Sequence, residues 1–169
     1  MNKKTLNIVL ISLFIVGAIA FLMIYRPSST SAHSSRAAQR GESFLTVEES
    51  AFDFGAISMA KGDVSHQFKI KNLTPNPVTI TKMYTSCMCT NVAFYKGGNK
   101  IAGPFGMAGH GFIPTISKIL GAGEEATMVV TFDPAAHGPA GIGEIERGVY
   151  IETGNGASLV FQIKANVTP

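Results

Sequence analysis

From Phe44 to the C-terminus, apolar residues recur at every second position, and no segment there repeats them at the helical spacing of 3.6. Side chains on a strand alternate between its two faces, so this period marks strands with one face in a core and the other toward water. Residues 64–71, Val-Ser-His-Gln-Phe-Lys-Ile-Lys, put Val64, His66, Phe68 and Ile70 on one side and only polar side chains on the other. Residues 126–132 do the same with Ala126, Met128, Val130 and Phe132, and Leu159, Phe161, Ile163, Ala165 and Val167 alternate toward the end. The β-branched run 78–83 and residues 44–47, 51–54, 91–95 and 146–153 supply further strands, seven to eight in all. Turn chemistry separates them: Asn-Leu-Thr-Pro-Asn-Pro at 72–77, Asp133-Pro134 and Gly154-Asn-Gly156. Short strands at regular spacing predict an all-β sandwich over 44–169. Residues 96–123 break the rhythm with eight glycines and two prolines, which predicts either a mobile insertion or a functional loop.

The N-terminus has a different character. Residues 8–24 are uncharged and almost wholly apolar, with Lys3 and Lys4 before them and Tyr25-Arg26 after. Seventeen residues rising about 1.5 Å each can just cross a hydrocarbon core of about 30 Å. Residues 1–25 therefore predict one N-terminal transmembrane helix acting as a signal anchor, N-terminus inside, with the domain extracytoplasmic. Ala18-Ile-Ala20 has the form of a cleavage site, so a removed signal peptide is the alternative. Residues 26–43, rich in Ser and Ala and including His33, predict a flexible linker.

The net charge of +3 hides a split. Residues 1–40 hold five basic side chains and no acid; the remainder holds nine basic against eleven acidic, a net of −2. A nucleic-acid-binding domain would carry its basic excess on the fold, so none is expected. Two cysteines cannot build a disulfide-framework miniprotein.

Three local patterns, in this order, carry a resemblance: Phe52-Asp-Phe-Gly-Ala-Ile57, followed by the strand ending Lys69-Ile-Lys-Asn72; Thr85-Ser-Cys-Met-Cys-Thr90; and Gly123-Glu124 leading to Val129-Val-Thr-Phe-Asp-Pro134 and Tyr150-Ile-Glu-Thr153. Together they resemble the bacterial domain-of-unknown-function family fifteen-seventy-three, itself similar to the ASH/Hydin-like branch of immunoglobulin-like sandwiches. The resemblance covers about 44–167 and implies an immunoglobulin-like β-sandwich that is exported or membrane-tethered. It implies no activity. Ala122-Gly-Glu stands where family members often read Pro-Gly-Glu, and 96–118 is longer than in compact members.

No catalytic constellation is legible: there is no nucleophile elbow, P-loop, H-E-x-x-H or Rossmann fingerprint. The adjacent acids Glu48-Glu49 and Glu124-Glu125 would face opposite ways on a strand. A non-enzymatic module that binds another envelope protein is the expectation. Cys87-Met-Cys89 is the sharpest chemical feature. On an extended segment its two sulfurs point the same way. They are open to core packing, to an internal disulfide, to thiol-redox work, or to a soft metal, Cu(I) before Zn(II), because only two thiols are available. Met107 and His110 in the glycine-rich stretch are the further candidate metal ligands, and His137 and Met83 are other candidate donors. His66 lies on an apolar face and reads as a core histidine.

Overall fold

The computed structural model describes residues 44–169. The expected anchor over 1–25, with its cleavage site, and the linker over 26–43 lie outside the described residues. Ten strands follow one another: β1 Leu45–Val47, β2 Ala51–Ser58, β3 Val64–Asn72, β4 Val78–Thr85, β5 Thr90–Lys96, β6 Asn99–Phe105, β7 Lys118–Leu120, β8 Glu125–Phe132, β9 Gly143–Thr153 and β10 Ser158–Thr168. Among the described residues the only helical pieces are single 3-10 turns at Met59–Lys61 and Gly138–Gly141, and no helix is long and apolar enough to cross a membrane.

The strands form two five-stranded sheets, one in the order β1-β3-β8-β5-β6 and the other β2-β10-β9-β4-β7. The all-β sandwich expected from alternation is thus present. On β3, Phe68 and Ile70 are buried while Lys69 and Lys71 face out; on β8, Ala126, Met128, Val130 and Phe132 are buried. The five expected positions of β10 are also buried. Phe68 of the first sheet stacks on Phe161 of the second with centroids 4.7 Å apart, so the core is continuous between the layers. Burying each such side chain contributes about 1.5–3 kcal/mol.

Most pairings are antiparallel, but β2 runs parallel to β10. Asp53 sits opposite Lys164 and Ala56 opposite Asn166, so β2 carries one extra residue there. Gly55 absorbs it at φ +67°, and the Asp53 carboxylate accepts the Gly55 N–H at 2.8 Å. The Asp-Phe-Gly sequence is the chemistry of that bulge.

Residues 96–118 are only partly a loop. Gly97 and Gly98, both at positive φ, make the two-residue turn of a β5–β6 hairpin in which Lys96 faces Asn99. β7 then pairs with Val78–Ile80 of β4. The remaining excursion, 106–117, is tied to β4 at both ends, by Thr85 N–H to Gly106 O at 3.0 Å and Ile116 N–H to Thr81 O at 2.7 Å.

The chain repeatedly passes from one sheet to the other at the ends of the sandwich. At one end the β3–β4 and β7–β8 connections meet on Asn72, which is fully buried. Its amide nitrogen donates toward Asn76 O, Leu120 O and Gly121 O at 2.8–3.0 Å, and its amide oxygen accepts from the N–H and hydroxyl of Thr74. At the other end the β4–β5 and β8–β9 connections meet, and these carry the two cysteines and His137.

Candidate functional site

Cys87 and Cys89 lie in the turn that takes the chain from β4 in one sheet to β5 in the other, not on an extended strand. Crossing between layers requires the chain to bend there. Met88 projects outward at 57% exposure, while Cys87 is 9% and Cys89 3% exposed. The sulfurs still converge: Cys87 and Cys89 are joined as a disulfide with Cα atoms 5.3 Å apart. Of the alternatives open in the sequence, the structure shows two together, core packing and the disulfide.

Hydrogen bonds independent of sulfur hold the turn. The Thr85 hydroxyl lies 2.9 Å from both Cys87 O and Thr90 O and shares its proton between them. Thr90 N–H closes on Cys87 O at 3.2 Å. Ser86 is clamped to β9, with its N–H donating to Gly148 O at 2.9 Å and its hydroxyl accepting the Gly148 N–H at 2.8 Å. Asp133 N–H donates to Cys89 O at 2.9 Å, which ties this turn to the start of the β8–β9 connection.

That connection brings His137 to the disulfide. Its Nε2 is 3.1 Å from Cys87 Sγ, and its ring is exposed. On the other sulfur, Arg147 of β9 donates its Nε–H to Cys89 Sγ at 3.4 Å, and its Nη1 is held by Glu146 O. Cys89 N–H points at Cys87 Sγ at 3.4 Å. Each sulfur therefore has its own donor-bearing neighbour, an imidazole on one and a guanidinium on the other.

Among the expected ligands, the structure groups Cys87 and Cys89 with His137, their donor atoms all within 4.8 Å of one another. His110 is on an exposed bend outside that group. Met107 approaches through its backbone, in an isolated bridge to Thr85. Met83 is fully buried in the core and paired with Ile151. His66 stacks on Phe52 at 3.6 Å and bonds Glu49 at 2.8 Å, so it is a packed histidine. Arg147 was not legible as a site residue. It sits 58 residues from Cys89 in a strand, and only the β4–β9 register brings it near.

Closing so small a ring constrains the unfolded chain little: a three-residue loop is worth on the order of 1.6 kcal/mol, below the usual 2–4 for a structural disulfide. The packing of the core, not this bond, carries the stability of the fold.

Comparison with known proteins agrees with the resemblance read from the sequence. The family described as "Protein of unknown function (DUF1573)" matches residues 45–101, which include the Asp-Phe-Gly bulge and both cysteines. No curated protein matches. Among solved structures, a protein of unknown function from Porphyromonas gingivalis W83 is similar over 72% of this chain, at 11% identity and a TM-score of 0.52. The chain covers 46% of that protein's length. The ASH / PapD-like domain of human CEP192 is similar over 84% of this chain and 98% of its own, at 13% identity and a TM-score of 0.44. The CooA pilin subunit from enterotoxigenic Escherichia coli is similar over 75% of this chain and all of its own, at 8% identity and a TM-score of 0.42. At 11% identity the likeness to the Porphyromonas gingivalis protein is one of fold.

Proposed function

We propose that this β-sandwich is a non-catalytic protein-binding module of the cell envelope, held at the membrane by its N-terminal span. The observation that carries the reading is Phe112, 87% exposed at the tip of the 106–117 excursion. A solvated aromatic ring contributes no burial energy to its own domain, and such rings are the usual anchors of protein interfaces. The excursion is fastened to β4 at both ends, so the ring is presented from a defined edge of the sandwich. An extracytoplasmic location is supported by the disulfide, since thiols in a reducing cytosol stay reduced.

The test is photo-crosslinking in intact cells with a benzoylphenylalanine at position 112 of the full chain. A discrete higher-mass adduct is expected at 112 and not at Lys61, which is exposed on the 3-10 turn. No adduct at 112, or the same adducts at both positions, overturns the reading. Carbonate extraction and external protease on spheroplasts test the anchor: release by carbonate removes it, and protection of the domain reverses its orientation.

A soft-metal reading attaches to the reduced form alone. Reduction would expose two thiolates beside His137, an S2N set suited to Cu(I), with Met107 and His110 added only if the 106–117 excursion moved. Cu(I) titration against a competing chelator tests it. The reduced chain is expected to bind and the oxidised chain not; equal behaviour of the two removes the site.

A further inference from the structure

We propose that the Cys87–Cys89 bond is a thiol–disulfide exchange site, with Cys87 the sulfur that an incoming thiolate attacks and Cys89 the sulfur that leaves. This goes beyond the binding role and does not depend on Phe112.

Three observations assign the two roles. The first is access. Cys87 lies nearer the surface than Cys89, between the outward Met88 and the exposed ring of His137, whereas Cys89 is sealed inside the turn. The second is charge. When a thiolate attacks Cys87 Sγ, the electron pair of the broken S–S bond moves onto Cys89 Sγ. Arg147 Nε–H already points at that atom, and a fixed cation beside a leaving thiolate stabilises it and speeds its departure. The third is that the turn does not need the bond. The Thr85, Ser86–Gly148 and Asp133 hydrogen bonds keep the two sulfurs close when they are separate.

The co-reactant is a dithiol on another polypeptide. Its first thiolate forms a mixed disulfide with Cys87, and Cys89 leaves as a thiolate. Its second thiolate then attacks its own sulfur in the mixed disulfide, and Cys87 leaves. At that point Cys89 N–H and His137, with its proton on Nε2, receive the charge that develops on Cys87. In total the dithiol is oxidised to a disulfide by two electrons, Cys87 and Cys89 are reduced to two thiols, and the two thiol protons pass from one pair to the other. Run backward, the same steps reduce a substrate disulfide.

The test uses the oxidised full chain in detergent with dithiothreitol as the dithiol, and scores free thiols by maleimide gel shift. The folded protein is expected to be reduced at least as fast as the chain unfolded in guanidinium. A bond reduced only after unfolding is a sealed structural disulfide and overturns the proposal. Replacing Arg147→Gln is expected to slow reduction of the folded protein about fivefold, with Arg147→Lys recovering most of the rate, because the effect is one of charge at the leaving sulfur. Equal rates in all three remove the role of Arg147. Site selectivity decides the direction of attack. With an aromatic disulfide probe, the Cys89→Ser chain is expected to form a full adduct on Cys87, and the Cys87→Ser chain to react about tenfold more slowly on Cys89. Equal rates, or the reverse order, overturn the assignment of roles.

Discussion

Replacing Asn72→Ala removes the side chain on which the β3–β4 and β7–β8 connections meet. The site is fully buried, and each end of the amide is engaged. Not every partner is stranded by the change. Asn76 O keeps the Thr74 hydroxyl, and Gly121 O keeps the N–H of Glu124. The N–H of Thr74 loses this partner outright, while Leu120 O, opposite Val78 in the β4–β7 ladder, keeps its rung there. The stranded, half-buried Thr74 N–H costs about 1 kcal/mol and the two bonds donated by the amide nitrogen are worth about 1 kcal/mol each net, so the expected loss is about 3 kcal/mol. Unfolding entropy over residues 44–169 is about 0.26 kcal/mol/K, which turns that loss into a fall in Tm of about 11 °C. Thermal denaturation followed by far-ultraviolet circular dichroism measures it. The isosteric Asn72→Asp keeps the volume but turns an acceptor toward three carbonyl oxygens, and is expected to be no milder. A fall of less than about 4 °C, roughly 1 kcal/mol, for the alanine variant would refute the reasoning, as would an aspartate variant as stable as the parent.

The acid limb of stability should trace to two glutamates. Hydrogen bonding to Lys96, then to the Gly121 N–H, holds Glu124 below the ordinary carboxyl range, and Lys71 does the same for Glu125. Both are depressed in the folded state, so their contribution is present above the ordinary glutamate range and lost as pH falls through their lowered values. Glu124→Gln and Glu125→Gln should flatten Tm against pH on the acid side, and an unchanged profile rejects this origin. Lys71 is raised, first by its hydrogen bond to Glu125, so its contribution is lost only as pH rises past the usual lysine range. Gly103→Ala should cost about 3 kcal/mol, since φ there is +95° and a Cβ would meet Val92 O at 2.8 Å and Ala93 Cα at 2.9 Å. Gly98→Ala, equally left-handed but with open space around it, should cost only about 1 kcal/mol by the same denaturation assay. Reducing the disulfide without denaturant should lower unfolding stability by on the order of 1.6 kcal/mol, and global unfolding on reduction would contradict the small loop it closes.

The strands that sequence made legible are those whose alternation is imposed by the core. β3, β8 and β10 sit inside their sheets and turn every second side chain inward, half-buried at Val64 and His66 and buried beyond them, so their period is written in residue type. β6 and β7 are edge strands held by backbone bonds. Asn99–Phe105 contains Gly103 and Pro104 and buries no side chain fully, and Lys118–Leu120 is three residues long. Neither has room for a readable period, and both fall within the stretch 96–123 that the sequence marks as an insertion or loop. At the site, Cys87 and Cys89 were visible because thiols are rare here, and His137 because imidazoles are few. Their bent setting was not visible, since whether a chain continues its sheet or crosses to the other is decided by pairing far away. The same holds for Arg147, which local sequence marks only as one basic residue in a strand.

The parallel contact of β2 with β10 has a mechanical consequence. The chain enters β2 at Ala51, opposite Gln162, and leaves β10 at Thr168, opposite Ser58. The join is extended at its ends, by Gln162 N–H to Ser50 O and by the Ser58 hydroxyl to Pro169 O, each 2.8 Å. A pull that separates Ser50 from Thr168 acts along both strands. It loads the rungs between them together, in shear, where a hairpin pulled at its open end would unzip one rung at a time. The bulge at Gly55 divides this clamp into two blocks of rungs that share the load side by side.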